Sequence, residues 1–259
     1  MTERKDWRVD TAPLVFFAVL LIAKTYYLVG YITGSDQLWA ALSDAERRAS
    51  LGDGATLLIT GEFSYIAYYA VALAFDALVF YSLLVRRGAK FRPKGFWENI
   101  FPLLTVFIPV TGFTLMFVPD VRAMLPGYPI DFLRAMNEAV PGFPLWMNLS
   151  GLLIGLFGAA FSIWAIAHLK ASFGLRTAVR QLVTTGPYRR IRHPLYFGEI
   201  IHILGIAILA ATPVALVLFV VAVAMQAVRA KIEERKFIAT VPEYAAFARA
   251  TGFLWPKFF

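Results

Sequence analysis

The run Gly186-Pro187-Tyr188-Arg189-Arg190-Ile191-Arg192-His193-Pro194-Leu195-Tyr196-Phe197-Gly198 sets three arginines, a histidine and two tyrosines between two long apolar segments. A second polar group, Arg229 with Glu233 and Glu234, follows one apolar stretch later. Charge persists beside lipid where it is paired or where it works. One reading is an anchor: arginines on anionic lipid heads, with Tyr188 and Tyr196 at the interface. The other is a single cofactor site assembled from both groups. His193 and Gly198 favour the second. His193 stands directly before Pro194, a residue suited to the first turn of a helix because its missing N–H is not needed there. Gly198 lies two residues after Tyr196, where a ligand or a backbone could come close.

The rest of the chain says where these groups must operate. Of 259 residues, 59% are hydrophobic and 16% charged, against roughly 25% charged in a soluble domain. The mean hydropathy is +0.65. These values fit an integral membrane protein. The net charge of +8 does not point to nucleic acid, because the basic residues sit in short loops beside apolar spans, where they set topology and meet lipid heads. With no cysteine, disulfides, thiolate metal sites and a cysteine nucleophile are excluded. No His/Asp/Glu spacing reads as a metal site. The apolar stretch after Met1–Asp10 is too long for a signal-peptide core and lacks a small-residue cleavage site; it is expected to be the first membrane helix.

A helix needs ~20 apolar residues to cross the hydrocarbon layer. Spans are expected at about Ala12–Ile32, Thr56–Val85, Phe96–Val118 and Trp146–Leu169. The stretch Pro194–Val228 is too long for one span, and Ala211-Thr212-Pro213 interrupts it. Proline removes a donor and disfavours helix in the residue before it. Two helices joined by a tight turn are therefore expected, each of only ~16 residues or about 24 Å, with the lower ends running on into the polar groups. Lys and Arg crowd the ends of alternate spans: Arg86, Arg87, Lys90, Arg92 and Lys94 after the second, Lys170, Arg176 and Arg180 after the fourth, Lys231, Arg235 and Lys236 after the sixth. Six helices with both termini and both polar groups cytoplasmic satisfy this pattern. The expected fold is an all-α integral membrane protein of about six transmembrane helices, with a C-terminal helical hairpin and an interfacial tail, Pro242–Phe259. The stretch Pro126–Pro144 is expected to be a loop. Residues 1–169 form a four-helix membrane region, and residues 170–259 the cofactor region.

A bend at Thr212-Pro213 returns the second arm beside the first. Arg229 and Glu233 are four apart and share a helix face. Glu234 is turned about 140° from Arg229 and need not serve the same site. The fold then gathers a carboxylate, an arginine, a histidine and two tyrosines at the cytoplasmic membrane surface.

The pattern Leu182-Val183-Thr184-Thr185-Gly186-Pro187-Tyr188, then Arg192-His193-Pro194-Leu195-Tyr196-Phe197-Gly198, then a hairpin and Arg229 with Glu233-Glu234, resembles the isoprenylcysteine carboxyl methyltransferase family. Membrane phospholipid N-methyltransferases and small-thiol S-methyltransferases are related to that family. The resemblance covers about the last ninety residues, and it is the combination that is specific. It implies a membrane enzyme that uses S-adenosylmethionine. It further implies that Arg180, Gln181, Leu182 and Val183 line the cofactor, and that Tyr188, His193, Pro194, Leu195 and Tyr196 contact it. Glu233 would hold the cofactor, and Arg229 would face the methyl acceptor as the catalytic residue. The chain departs from the pattern at Arg180, where a histidine is usual. The chemistry is compatible: Glu233 can accept from hydroxyl or amine groups, arginine can clamp a carboxylate, and tyrosine faces tolerate a sulfonium. Methyl transfer requires alignment and a dry pocket rather than a covalent relay.

Other polar residues have plainer readings. His168 and His202 read as packed or interfacial. Glu62 reads as near the outer surface, and Asp76 as paired with Lys24 between helices, although intramembrane acids are functional candidates by default. Gly151, Gly155 and Gly158 favour close helix contact. Two other functions fit part of the pattern: a sterol-type reductase with a similar hairpin and a nicotinamide cofactor (NADPH), and a non-catalytic membrane scaffold. The partners expected are the bilayer and a lipophilic or small acceptor, whose carboxylate, amine or thiol character the sequence leaves open.

Overall fold

The computed structural model describes residues 11–34, 72–86, 88–117 and 145–257, with single positions 44, 49, 66 and 70. The sequence expectations for Met1–Asp10, Glu62, the start of the second span and the loop Pro126–Pro144 lie outside the described residues. Among the described residues the protein is all-helical, with only two isolated bridges, Phe91 to Val179 and Ile191 to Gly252. The helices are α1 (Thr11–Gly34), α2 (Ala72–Val85), α3 (Gly95–Asn99), α4 (Phe101–Phe117), α5 (Leu145–Leu169), α6 (Pro194–Ala210), α7 (Pro213–Thr240) and α8 (Tyr244–Ala250).

Among the described residues, three apolar stretches are long enough to cross a membrane, as an integral membrane protein requires: Thr11–Gly34, Leu149–Ser172 and Pro213–Thr240. The apolar stretches in α2, α4 and α6 are shorter. The expected third span is divided. A five-residue helix, α3, ends at Asn99, Ile100 caps it, and α4 begins at Phe101. Pro102 accounts for the division, because it has no N–H to donate to the Glu98 carbonyl, which accepts from Thr177 instead. The amides of Leu103 and Leu104 turn back to the carbonyl of Ile100 at 2.9 and 3.1 Å.

The interruption at residues 211–213 is where the sequence places it. Ala211 adopts a left-handed conformation at the end of α6 (φ 49, ψ 37), a state that costs a non-glycine residue about 1–2 kcal/mol. Thr212 is extended and caps α7, its hydroxyl accepting from the Ala215 amide at 3.2 Å. Pro213 then occupies the first turn of α7. The second arm is longer than expected. It continues without a break for 28 residues to Thr240, about 42 Å at 1.5 Å per residue. Arg229, Glu233 and Glu234 therefore stand on one rigid helix.

The most extensive helix contact joins α5 and α6. Small residues make it possible. A methyl group added at Gly158 would collide with the His202 backbone, and one at Gly205 with the Gly155 backbone. Gly198 lies against Ser162 in the same way. The seam also carries a polar tie, His202 Nδ1 to the Gly155 carbonyl at 2.8 Å. Small residues let backbones approach and maximise van der Waals contact where lipid offers no hydrophobic drive. On the N-terminal side, Lys24 of α1 meets Asp76 of α2 at 2.5 Å, the pairing expected for that acid. A buried cluster of Phe17, Val79, Leu83, Ile166, Tyr188 and Leu195 joins α1, α2 and α5 to the segment that carries the polar groups.

The connection from α5 to α6 is held by its backbone. Val179 exchanges hydrogen bonds with Phe91 (3.2 Å each way), and Thr177 donates to the Glu98 carbonyl at 3.0 Å. Lys236 of α7 reaches the same place, with Glu98 at 2.5 Å, the Arg92 carbonyl at 2.7 Å and the Thr177 carbonyl at 3.1 Å. One ammonium thus joins α7, α3 and the 173–180 segment.

Candidate cofactor site

A cavity opens between the 169–183 segment, the start of α6, the lower half of α7, and α8. Its wall contains Arg180, Gln181, Leu182, Val183, Tyr188, His193, Leu195, Tyr196, Arg229 and Glu233. Of the residues that the resemblance assigns to the cofactor or the acceptor, only Pro194 is absent from the wall; it is fully buried and starts α6.

The local chain explains how each group gets there. Gly186 takes φ +58, and a side chain there would strike the His168 ring. That turn leads into a short 3-10 helix, Gly186–Arg189, that buries Pro187 and Tyr188. His193 precedes Pro194 and stacks on Tyr196, with ring centroids 5.4 Å apart and planes within 4°. Tyr196 donates its hydroxyl to Glu233, although the two are 37 residues apart in sequence. Glu233 also lies 3.5 Å from Arg229 Nε and 4.0 Å from His193 Nδ1. The guanidinium of Arg229 stands 4.8 Å from the centre of the Tyr196 ring, a cation–π position.

Arg229 is itself buried, 2% exposed. Its terminal nitrogens donate to Thr105 Oγ1 of α4 (3.2 Å) and to the Leu175 carbonyl (2.9 Å). It therefore ties three segments together as well as facing Tyr196. Arg180 is held beside Gly174, where any side chain would meet its guanidinium. Burial lowers its pKa to about 10, against the attraction of Glu233. Burial, together with repulsion from Arg180 and Arg176, lowers Arg86 to about 9. This end of the cavity is thus crowded with cations, which an anion would relieve. Tyr188 is driven well above the usual phenol range, chiefly by burial and then by the negative charge of Glu233. It is a neutral hydrogen-bonding group at physiological pH.

Glu234 has a different task from Glu233. It accepts from Arg192 Nε at 2.5 Å and lies 3.5 Å from the Tyr244 hydroxyl and 3.7 Å from His193 Nε2. Arg192 goes on to donate to the carbonyls of Ala248 (2.7 Å) and Thr251 (2.5 Å). Two backbone bonds, Arg192 N to Gly252 O and His193 N to Phe253 O, complete the attachment of the tail. Tyr244 and Phe247 of α8 close one side of the cavity. Arg176, Tyr244, Phe247 and Phe237 also line the wall, and the sequence reading did not single them out. Their only signal was position: basic or aromatic residues in segments flanking the two polar groups.

Residues 151–239 match the Isoprenylcysteine carboxyl methyltransferase (ICMT) family. That segment is an ICMT-family domain. It begins within α5 and ends at the last turn of α7, so it includes both helices that bear His193, Tyr196, Arg229 and Glu233. The chain is 28% identical over 117 residues to the "Cobalt-zinc-cadmium resistance protein CzcN" of Cupriavidus metallidurans, covering 43% of this chain and 52% of that protein. It is 26% identical over 117 residues to the "Nickel-cobalt-cadmium resistance protein NccN" of Alcaligenes xylosoxydans xylosoxydans, covering 43% of this chain and 53% of that protein. The chain spans about half the length of the curated relatives it matches.

Proposed function

We propose that the protein is an integral membrane methyltransferase that uses S-adenosylmethionine. The observation that carries this reading is the single cavity wall formed by Arg180–Val183, Tyr188, His193, Leu195, Tyr196 and Glu233 within an ICMT-family domain. The donor set fits the cofactor. Arg176 Nε is buried without a hydrogen-bond partner among the described residues, and an unsatisfied buried donor costs about 1–3 kcal/mol until it is met. A ligand with a carboxylate and hydroxyls supplies partners of the right kind. Arg176 and Arg180 would hold its carboxylate, and Glu233 would accept from its hydroxyl or amine groups. The faces of Tyr196 and His193 would border its cationic centre. When bound, the cofactor supplies an electrophilic methyl group. The chain's own residues orient it, exclude water through α8 and the tail, and hold Glu233 in position through Arg229 and Tyr196.

In this reading the chain spans the bilayer six times, the α6–α7 hairpin closes the last two spans, and both termini and the cavity face the cytoplasm. Residues 170–259 form the cofactor region, and residues 1–169 provide the membrane frame. The cofactor enters from the cytosol, and the acceptor, whether a lipid or a small molecule, arrives from the bilayer.

Isothermal titration of the purified full chain with S-adenosylhomocysteine tests the proposal, with NADPH as the competing ligand. Binding of the first and not the second is expected. Glu233→Ala should lower that affinity at least ~10-fold, about 1.4 kcal/mol. Binding of NADPH in its place would make the protein a reductase, and binding of neither would leave a scaffold.

A further inference from the structure

One polar pair in the membrane-embedded part of the molecule lies outside the cavity wall. Glu199 of α6 accepts a hydrogen bond from Nε2 of Gln226 on α7. Both belong to the same polar column as the cofactor site. Glu199 lies one helical turn beyond Tyr196, and Gln226 nearly one turn before Arg229. Gln226 and Glu233 are seven residues apart, about 20° apart around the helix. Passing inward from the cavity, the column reads Glu233 and Tyr196, then Arg229, then Gln226 and Glu199. The charges of Arg229 and Glu233 act on Glu199.

The pair is incompletely satisfied, chiefly at its acceptors. Gln226 is 3% exposed, and its Oε1 is buried with no hydrogen-bond partner among the described residues. Its amide nitrogen is turned to the carboxylate, so the amide oxygen must face away from it. Glu199 uses Oε2 for that bond, and its Oε1 has no hydrogen-bond partner among the described residues. The pair therefore offers two unpartnered acceptor atoms, against the one remaining N–H of the Gln226 amide. Glu199 is half-buried.

The cation that would hold a carboxylate is occupied. Both terminal nitrogens of Arg229 are bonded, to Thr105 and to the Leu175 carbonyl. A carboxylate acceptor would thus face two oxygen acceptors and repulsion from Glu199. A thiol has one weak donor and could satisfy one of the two oxygens. An amine carries several N–H donors, enough for oxygens that face different ways, and can lie against the carboxylate.

We propose that Glu199 and Gln226 form the acceptor subsite and that it takes an amine. This rests on the methyltransferase reading and narrows it, because that reading leaves the acceptor open. Glu199 and Gln226 receive the nitrogen at the bilayer side of Tyr196, and the cofactor cavity lies on the other side.

The test uses the full chain in lipid nanodiscs, with dodecylamine, dodecanethiol and dodecanoate as probes. Thermal unfolding is followed with each probe, and S-adenosylhomocysteine affinity is measured separately. Dodecylamine is expected to raise Tm by several degrees, and the other two to have little effect. Glu199→Gln should abolish the amine shift while S-adenosylhomocysteine binds with unchanged affinity, which also shows that the variant is folded. Gln226→Leu should weaken the shift. An equal shift with the thiol or the carboxylate, an amine shift that survives in Glu199→Gln, or no amine shift overturns the subsite. Failure of S-adenosylhomocysteine to bind the unmodified chain would instead remove the methyltransferase reading, whatever the probes do.

Discussion

The hydroxyl of Tyr196 donates to the Glu233 carboxylate across the gap between α6 and α7. That one contact fixes the relative height of the two helices, because Tyr196 lies in the first turn of α6 and Glu233 near the end of α7. It also sets the charge pattern. The same carboxylate faces Arg229, and the same phenol ring lies under the Arg229 guanidinium. Tyr196, Arg229 and Glu233 act as a unit in which each member holds the other two.

Tyr196→Phe separates the hydroxyl from the ring. The variant keeps the stack on His193 and the cation–π contact with Arg229. It removes one donor from a carboxylate that Arg229 still neutralises. Hydrogen bonds to charged groups contribute about 1.5–3 kcal/mol. S-adenosylhomocysteine affinity should fall roughly 10-fold or more, about 1.4 kcal/mol per tenfold. Isothermal titration checks this, and an unchanged affinity would show that Glu233 is positioned without the phenol.

Glu234 and Arg192 should behave as a structural pair, not as ligand contacts. Removing one member of a largely buried pair leaves an uncompensated charge and costs about 3–5 kcal/mol. Glu234→Ala should therefore lower Tm and loosen the tail, because Arg192 also holds the carbonyls of Ala248 and Thr251. In a double-mutant cycle with Arg192→Met, the coupling should reach at least ~1 kcal/mol, within the 0.5–3 kcal/mol found for residues in contact. Limited proteolysis of residues 242–257 would report the loosening directly.

Much of this arrangement can be read from the sequence where a local rule applies. Pro213 marks the break between α6 and α7, because proline cannot follow a helical residue comfortably and suits a first turn. Gly151, Gly155 and Gly158 identify the close face of α5 by spacing alone. Asp76 and Lys24 are the isolated charges of adjacent apolar segments, and they pair. What escapes such rules are partners distant in the chain. Nothing local joins Lys236 to Glu98, 138 residues away, or Arg229 to Thr105, 124 residues away. Periodicity places Glu234 on a face of α7, but only packing shows that Arg192 waits there. The split between α3 and α4 was written in Pro102, yet an uninterrupted apolar run concealed it.

The α5–α6 seam should tolerate nothing larger than glycine at its closest points. At Gly158 an added methyl group would meet the backbone of His202, which cannot rotate aside as a side chain can. Overpacking of this kind costs about 1–3 kcal/mol or more. Gly158→Ala should lower Tm and also weaken S-adenosylhomocysteine binding, because α6 carries His193 and Tyr196 on its first turn and just before it. Gly155→Ala is the control. A methyl group there finds its nearest neighbour at 3.6 Å, an ordinary contact, and Tm should change little. Thermal unfolding of the two variants side by side distinguishes a backbone clash from a general loss of helix flexibility.

Arg180 should show an exchange between stability and binding. Burial lowers its pKa from 12.5 to about 10, so the folded state resists its charge. The sign follows from that depression. Below pH 10 the guanidinium is protonated in both folded and unfolded chains, and the penalty of burying it is fully present. The penalty is relieved only as pH rises from about 10 towards the unfolded value. Arg180→Met keeps the bulk beside Gly174 and removes the charge, so at pH 7.5 the ligand-free protein should gain Tm. A gain of about 2–4 °C corresponds to ~1 kcal/mol in a chain of this size. The same substitution removes a cation from the crowded end of the cavity. S-adenosylhomocysteine, which carries a carboxylate, should then bind more weakly, and its stabilising effect should shrink at any fixed concentration. At pH 10.5 the ligand-free Tm difference between the two proteins should narrow, because the unmodified Arg180 has by then lost much of its charge. A lower Tm for Arg180→Met at pH 7.5, with unchanged ligand affinity, would show that Arg180 is a structural cation satisfied by its neighbours.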